Sequence, residues 1–209
     1  MAADQSALMT LIRAIGVDDA AALRLLSASP AMATAQVAQG ATRQAATDYY
    51  LDPIAHYVYA GDTALHVAAA GYRCEIAEKL IALGANLRAR NRRGAEPLHY
   101  AADGAPGAPT WNPDAQAATV AILIAAGADP NAADNSGVMP LHRAVRTRCA
   151  AAVKALLAGG ADANAKNKSG SSPMQLATQN TGRGGSGSPA AKAQQTEIMR
   201  LLEEVKGAR

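Results

Sequence analysis

Three histidines, His66, His99 and His142, stand 33 and 43 residues apart, and each follows a leucine, an arrangement that raises metal binding as a first reading. A zinc ion needs all of its ligands near 2 Å from one centre. Side chains that recur once per structural unit form instead a ladder with steps of about 10 Å, the spacing of packed helices. The set therefore holds no single ion, and each imidazole is expected to bond the loop backbone of its own or the next unit. His56 lies outside the ladder and receives no role. Cys74 and Cys149 occupy nearly equivalent places two units apart. Stacking then separates them by roughly 20 Å, whereas a disulfide needs alpha carbons within about 7 Å. Both are expected to be free thiols, and zinc spacing such as C-x-x-C is absent.

Two further groups fail as catalytic or cofactor sites. Gly182, Gly184 and Gly187 spell G-x-G-x-x-G, but that dinucleotide fingerprint must follow a strand and open a helix, with an acidic residue about 20 positions later. Here it follows a short helical segment, and Ser188 stands directly after Gly187 where a phosphate-binding loop carries lysine. A surface loop is expected. Ser171 and Ser172 sit at a turn and helix start, where serine ordinarily caps, and no neighbouring base activates them. Glu203 and Glu204 read as a solvated helix face. No catalytic residue, metal or cofactor is assigned, and enzyme activity is not expected.

The elements that place these residues are repeated. "GDTALHVAAA" from Gly61, "GAEPLHYAAD" from Gly94 and "GVMPLHRAVR" from Gly137 are followed by a weaker "GSSPMQLATQ" from Gly170. The opening glycines are 33, 43 and 33 residues apart, one period plus an insertion of ten in the middle interval. Leu80-Ile81, Leu123-Ile124 and Leu156-Leu157 close apolar runs, and "GANLRA", "GADPNA" and "GADANA" follow at Gly84, Gly127 and Gly160. Each unit reads as a short helix, a turn, a longer helix and an extended loop. Pro97, Pro140 and Pro173 suit the first helical turn, where a missing amide hydrogen has no partner to lose. Gly84, Gly127 and Gly160 stand where the second helix must stop.

At these residues the chain resembles the ankyrin repeat family, whose consensus runs G-x-T-P-L-H-x-A-A and ends G-A-D-x-N-A. The resemblance extends from Tyr57 to about Val205. Ala64 replaces the proline of the first unit, Arg88 its loop asparagine, and Met174-Gln175 stand for Leu-His in the fourth. Terminal units are commonly atypical because one face meets water, so the fourth reads as a C-terminal cap. The expected fold is all-α, a solenoid of stacked helix-turn-helix units joined by hairpin-like loops. Four units are placed at about 57–90, 91–133, 134–166 and 167–209, after an N-terminal helical cap or degenerate repeat with linker at 1–56.

Composition agrees. Alanine makes up about a quarter of the residues, phenylalanine is absent and aromatics are 3%, so the core must be thin and built from closely packed helices. At the N-terminus Leu8, Leu11, Ile12 and Ile15 fall on one helical face that Ser6 is expected to cap, and Asp18 or Asp19 should cap a second helix ended by Ser29-Pro30. Residues 33–53 show no clean period and are assigned a helix and a loop. Arg13 and Thr10 interrupt the only early apolar run, so no targeting segment or membrane span is read, and a cytoplasmic protein is expected.

The resemblance implies a binding protein whose contacts lie on a concave surface of loop tips and exposed short-helix faces. In this chain the tips carry Tyr59 and Asp62, Arg92 and Arg93, Asn135 and Val138, and Lys168 and Ser171; the ends of the short helices add Asp103, Arg146 and Thr147. Arg88, Arg90, Arg92 and Arg93 fall within six residues on a chain of net charge +3. Such a patch suits an acidic protein partner, with nucleic acid or another phosphate-bearing ligand as the alternative. Two insertions interrupt helix connections, one near residues 105–115 holding Trp111, the only tryptophan, the other near 181–194. Trp111 joins the candidate contacts because the two loops should flank the turn of the third unit. The chain is expected to act as a monomer.

Overall fold

The computed structural model describes residues 4–106, 108, 111–179 and 188–207. Five helix pairs follow one another: α1 (Gln5–Val17) with α2 (Asp19–Ala28), α3 (Ala64–Ala70) with α4 (Cys74–Ala82), α5 (Pro97–Ala102) with α6 (Pro113–Ala125), α7 (Pro140–Arg146) with α8 (Ala150–Ala158), and α9 (Pro173–Thr178) with α10 (Pro189–Gly207). The first helices of the pairs pack in one row and the second helices in another, each touching its counterpart in the next pair. This is the expected all-α solenoid.

Local chemistry sets the element boundaries. Pro97, Pro140 and Pro173 each take the first position of their helix. Gly84, Gly127 and Gly160 adopt φ of 84°, 103° and 90°, the left-handed conformation that ends a helix and that a side chain would strain. Leu65, Leu98 and Leu141 on the short helices, with Leu80, Leu123 and Leu156 on the long ones, are almost entirely buried, and alanines fill the space between. A fully buried leucine contributes about 2 kcal/mol. A unit with only two or three such residues depends on its neighbours for stability.

The histidine ladder serves the backbone as expected. Nδ1 of His66, His99 and His142 accepts the N–H of Thr63, Glu96 and Met139 at 3.1, 3.1 and 3.2 Å, closing the first turn of each short helix. Nε2 reaches the next unit, to the carbonyls of Ala95 at 3.1 Å, Val138 at 3.0 Å and Ala165 at 3.1 Å. Because Nδ1 accepts, Nε2 carries the proton and the rings are neutral. Both nitrogens are committed, which leaves none for a metal. Cys74 and Cys149 are free thiols.

Loop tips are built on one position, Asn or Asp, that recurs with the repeat. Oδ1 of Asn91, Asp134 and Asn167 each accepts two backbone N–H groups of its own loop, from Arg93 and Ala95, Ser136 and Val138, and Ser169 and Ser171. Adjacent tips are tied by backbone bonds from Arg92 to Ala60, Asn135 to Arg93 and Lys168 to Ser136.

Two N-terminal expectations need correction. Asp4 rather than Ser6 caps α1, accepting the Ser6 N–H at 2.9 Å, because α1 begins at Gln5, two residues earlier than a Ser6 cap implies. Asp18 caps α2 as expected. Residues 33–53 contain no α-helix. After a 3-10 turn at Pro30–Thr34, this segment bonds to the loop that leads into α3, with Val37 N–H to Asp62 O at 2.8 Å and Ala41 N–H to Val58 O at 2.7 Å. A minimal hairpin follows, β1 (Tyr50–Leu51) antiparallel to β2 (His56–Tyr57). Lacking an apolar stripe at helical spacing, the segment satisfies its backbone against the first unit instead of within itself.

Candidate functional site

The tips of the first two units present an exposed aromatic and basic patch. Tyr59 is half-buried, and the guanidinium groups of Arg92 and Arg93 lie over its ring at 5.1 and 4.4 Å from the centroid. Beside it Tyr57, 39% exposed, rests on the ring of Tyr50 with centroids 4.6 Å apart. Arg90 is tied down by the Ala133 carbonyl at 2.7 Å and by Glu96 at 3.6 Å. Arg88, Arg92 and Arg93 remain exposed.

Other expected contacts have structural roles that the sequence did not show. Asp62 is fully buried and accepts from the Tyr100 hydroxyl at 2.9 Å, Asn91 Nδ2 at 2.9 Å and the Tyr59 N–H at 2.7 Å, so it anchors the first tip from beneath. Exposed Asn135 donates to the Arg92 carbonyl at 3.2 Å, and exposed Lys168 donates to the Asn135 carbonyl at 2.7 Å, stitching three tips together. The carbonyls of Val138 and Ser171 receive the Nε2 protons of His99 and His142. The Thr147 hydroxyl donates to the Arg143 carbonyl at 2.9 Å, and Arg146 is half-buried in the last turn of α7.

One register position organises the free face of the short helices. The residue after each repeat histidine, or after Gln175 in the fourth unit, is Val67, Tyr100, Arg143 or Leu176. Val67 and Tyr100 are buried, whereas Arg143 and Leu176 are partly exposed. The β1–β2 insertion makes the difference at Tyr100, because the His56 ring packs on it with centroids 4.4 Å apart. Arg143 bridges two carboxylates, Asp103 at 2.9 Å and Asp134 at 3.2 Å. Burial alone would raise the Asp134 carboxyl, but N–H groups of Val138 and Ser136 and the Arg143 guanidinium outweigh it and hold it below the usual range.

The same insertion encloses a cavity of about 470 Å³ against the α3–α4 turn and the α5–α6 connection. Pro53 to His56 form one wall, Ala70 to Arg73 a second, and Tyr100, Asp103 and Trp111 a third. A smaller cavity of about 170 Å³, lined by Tyr57, Tyr59, Arg93 and Arg143, adjoins it at His56 and Tyr100. Sequence reasoning missed His56, Tyr100 and Arg143. Only Arg143 left a signal, as the one charged residue at its register position.

Trp111 packs on its own unit rather than reaching away from it. Its Nε1 donates to Gln116 Oε1 at 3.0 Å, and Gln116 Nε2 donates to the carbonyls of Ala101 and Asp103 at the end of α5. The Trp111→Ala variant should therefore lose about 2 kcal/mol of stability, read as an earlier urea midpoint by circular dichroism. An unchanged midpoint would mean that the indole does not hold the connection. Residues 180–187, with the glycine motif and the first half of the second insertion, lie outside the described residues. The rest of that insertion, from Pro189 on, is already α10. Arg148, in the turn of the third unit, is fully buried and donates to the carbonyls of Ala177 and Gln179, both at 2.7 Å.

The repeat geometry agrees with comparison to known families. The ankyrin repeat model matches residues 60–92, and a second, for ankyrin repeats in many copies, matches residues 123–177. The chain carries ankyrin repeats. No curated protein matches it. Ankyrin repeats are generally protein–protein interaction modules. Neither match reaches α1, α2 or the β1–β2 insertion, so this ankyrin repeat protein carries the roof of its cavity outside the matched segments.

Proposed function

We propose that this ankyrin repeat protein is a non-catalytic interaction module that binds an acidic protein partner through its loop tips and the open part of its concave face. The observation that carries the reading is the pair Arg92 and Arg93, exposed over the Tyr59 ring with no carboxylate partner among the described residues. Stacking fixes the direction of both guanidinium groups, and an oriented fork suits carboxylates. Exposed Lys168, with Asn135, extends the row of tips, while Arg146 and Thr147 continue it along α7. The insertion covers the face at Tyr100, so a partner reaching across the short helices meets the third and fourth units. No helix among the described residues is long and apolar enough to cross a membrane, and we place the protein in the cytoplasm as a monomer.

Changing Arg92 and Arg93 together to glutamate should weaken a crosslink-captured partner at least about tenfold while leaving helicity intact. Titration calorimetry reads the affinity. Equal binding by wild type and double variant would remove the tips from the interface. Phosphate-bearing ligands are the alternative reading, favoured by the same guanidinium groups. Affinity that falls steeply with salt and tolerates many nucleic-acid sequences would support it.

A further inference from the structure

The cavity beneath the β1–β2 insertion is built differently from the exposed tips. Its aromatic side chains use their polar atoms within the protein. The Tyr72 hydroxyl donates to the Asp103 carbonyl at 2.5 Å, Tyr100 bonds Asp62, and Trp111 bonds Gln116. Tyr72 and Trp111, both partly exposed, have ring surface left to offer a ligand, whereas Tyr100 is covered. The charges at the rim are likewise engaged: Asp103 pairs with Arg143, and Arg73 turns toward the Gly16 carbonyl at 3.0 Å and Asp19 at 3.6 Å. Besides Arg73 Nε, which faces the Asp19 carboxylate at 3.6 Å without hydrogen-bonding it, one polar atom of this cavity's described lining is unmatched. Nε2 of His56 is buried with no hydrogen-bond partner, at the junction of the two cavities.

A buried polar atom without a partner is costly, so native structures rarely keep one that nothing satisfies. Burial pushes His56 below its usual pKa, which keeps the ring neutral and able to donate or accept. A volume of about 470 Å³ lies within the range of small-molecule sites, which combine apolar and aromatic walls with a few placed polar groups. Paired rim charges disfavour a charged ligand, whose desolvation nothing would offset. We propose that this cavity is a binding site for a small, neutral, planar heteroaromatic molecule that stacks against Tyr72 and Trp111 and hydrogen-bonds His56 Nε2. The site is independent of the protein-binding tips.

Two probes of one shape test it. Benzimidazole carries both a donor and an acceptor nitrogen and so suits either tautomer of His56; indene has the same outline and neither. Trp111 is the only tryptophan and lines the cavity, so its fluorescence reports occupancy, with saturation-transfer NMR as a second reading. Benzimidazole should bind saturably, with Kd of about 1 mM or tighter for a fragment of this size. The His56→Phe variant should weaken it at least about tenfold while leaving indene unchanged. A second variant, Ala70→Leu, fills the cavity from α3 and should abolish both probes even if His56→Phe fails to fold. No saturable response from either probe would overturn the proposal, as would benzimidazole binding that survives Ala70→Leu or, in a folded protein, is unaffected by His56→Phe.

Discussion

Replacing Arg143 with alanine should cost the protein about 3 kcal/mol, near the low end of what breaking a buried ion pair costs. The guanidinium pairs with both Asp103 and Asp134, and its own side chain is 11% exposed. Removing it leaves two carboxylates facing each other across a partly dry space. Asp103, 32% exposed, regains some water, which is why the low end applies; Asp134, at 9%, does not. Asp134 also holds the third loop tip through Ser136 and Val138, so the damage should spread from α7 to the tip. Urea unfolding followed by circular dichroism measures the loss. Arg143→Lys should recover less than half of it, since one ammonium cannot serve both carboxylates with a fork's geometry. A loss under about 1 kcal/mol for Arg143→Ala would show that the carboxylates rehydrate freely and that the bridge is incidental.

The repeat was legible because each of its signals is local. Pro97, Pro140 and Pro173 start helices, Gly84, Gly127 and Gly160 stop them, and the histidines bond backbone within three residues and one unit away. Such constraints recur at a fixed period whatever the rest of the chain does. The tip scaffold of Asn91, Asp134 and Asn167 was legible in the same way, each standing three residues before a repeat glycine, and was overlooked.

What escaped depends on contacts between distant segments. Nothing near His56 announces that its ring will rest on Tyr100, 44 positions further on. The segment from 33 to 53 has no period because it forms no repeating element, and its position comes from bonds such as Ala41 to Val58. For the same reason Asp62 read as a tip contact. Its burial follows from Tyr100 and Asn91, which arrive from the next unit.

Acid should unfold this protein well before its carboxylates are neutralised, because the histidine ladder works only uncharged. Burial lowers the pKa of His66 and His142 below the usual 6.5 and that of His99 to about 4. In the unfolded chain the same rings protonate near 6.5. Between these values the unfolded state binds more protons, so stability is complete above about pH 6.5 and falls as pH drops through the window. Each fully responding histidine removes about 1.4 kcal/mol per pH unit, and His99 alone about 3 kcal/mol by pH 4. Glu96, raised by burial, works in the opposite direction, at pH values near and just above the ordinary carboxylate value. The fourth unit supplies the control. There Gln175 replaces histidine, and its Oε1 accepts the Ser172 N–H at 2.8 Å without titrating. His99→Gln should therefore keep the helix-start bond, lose the bond to Val138 and about 1 kcal/mol at pH 7.5, yet flatten the decline between pH 6.5 and 4. Urea midpoints measured across that range decide it. An unaltered slope in His99→Gln would mean that His99 protonates without breaking its backbone bonds, and the ladder would not be the source of acid sensitivity.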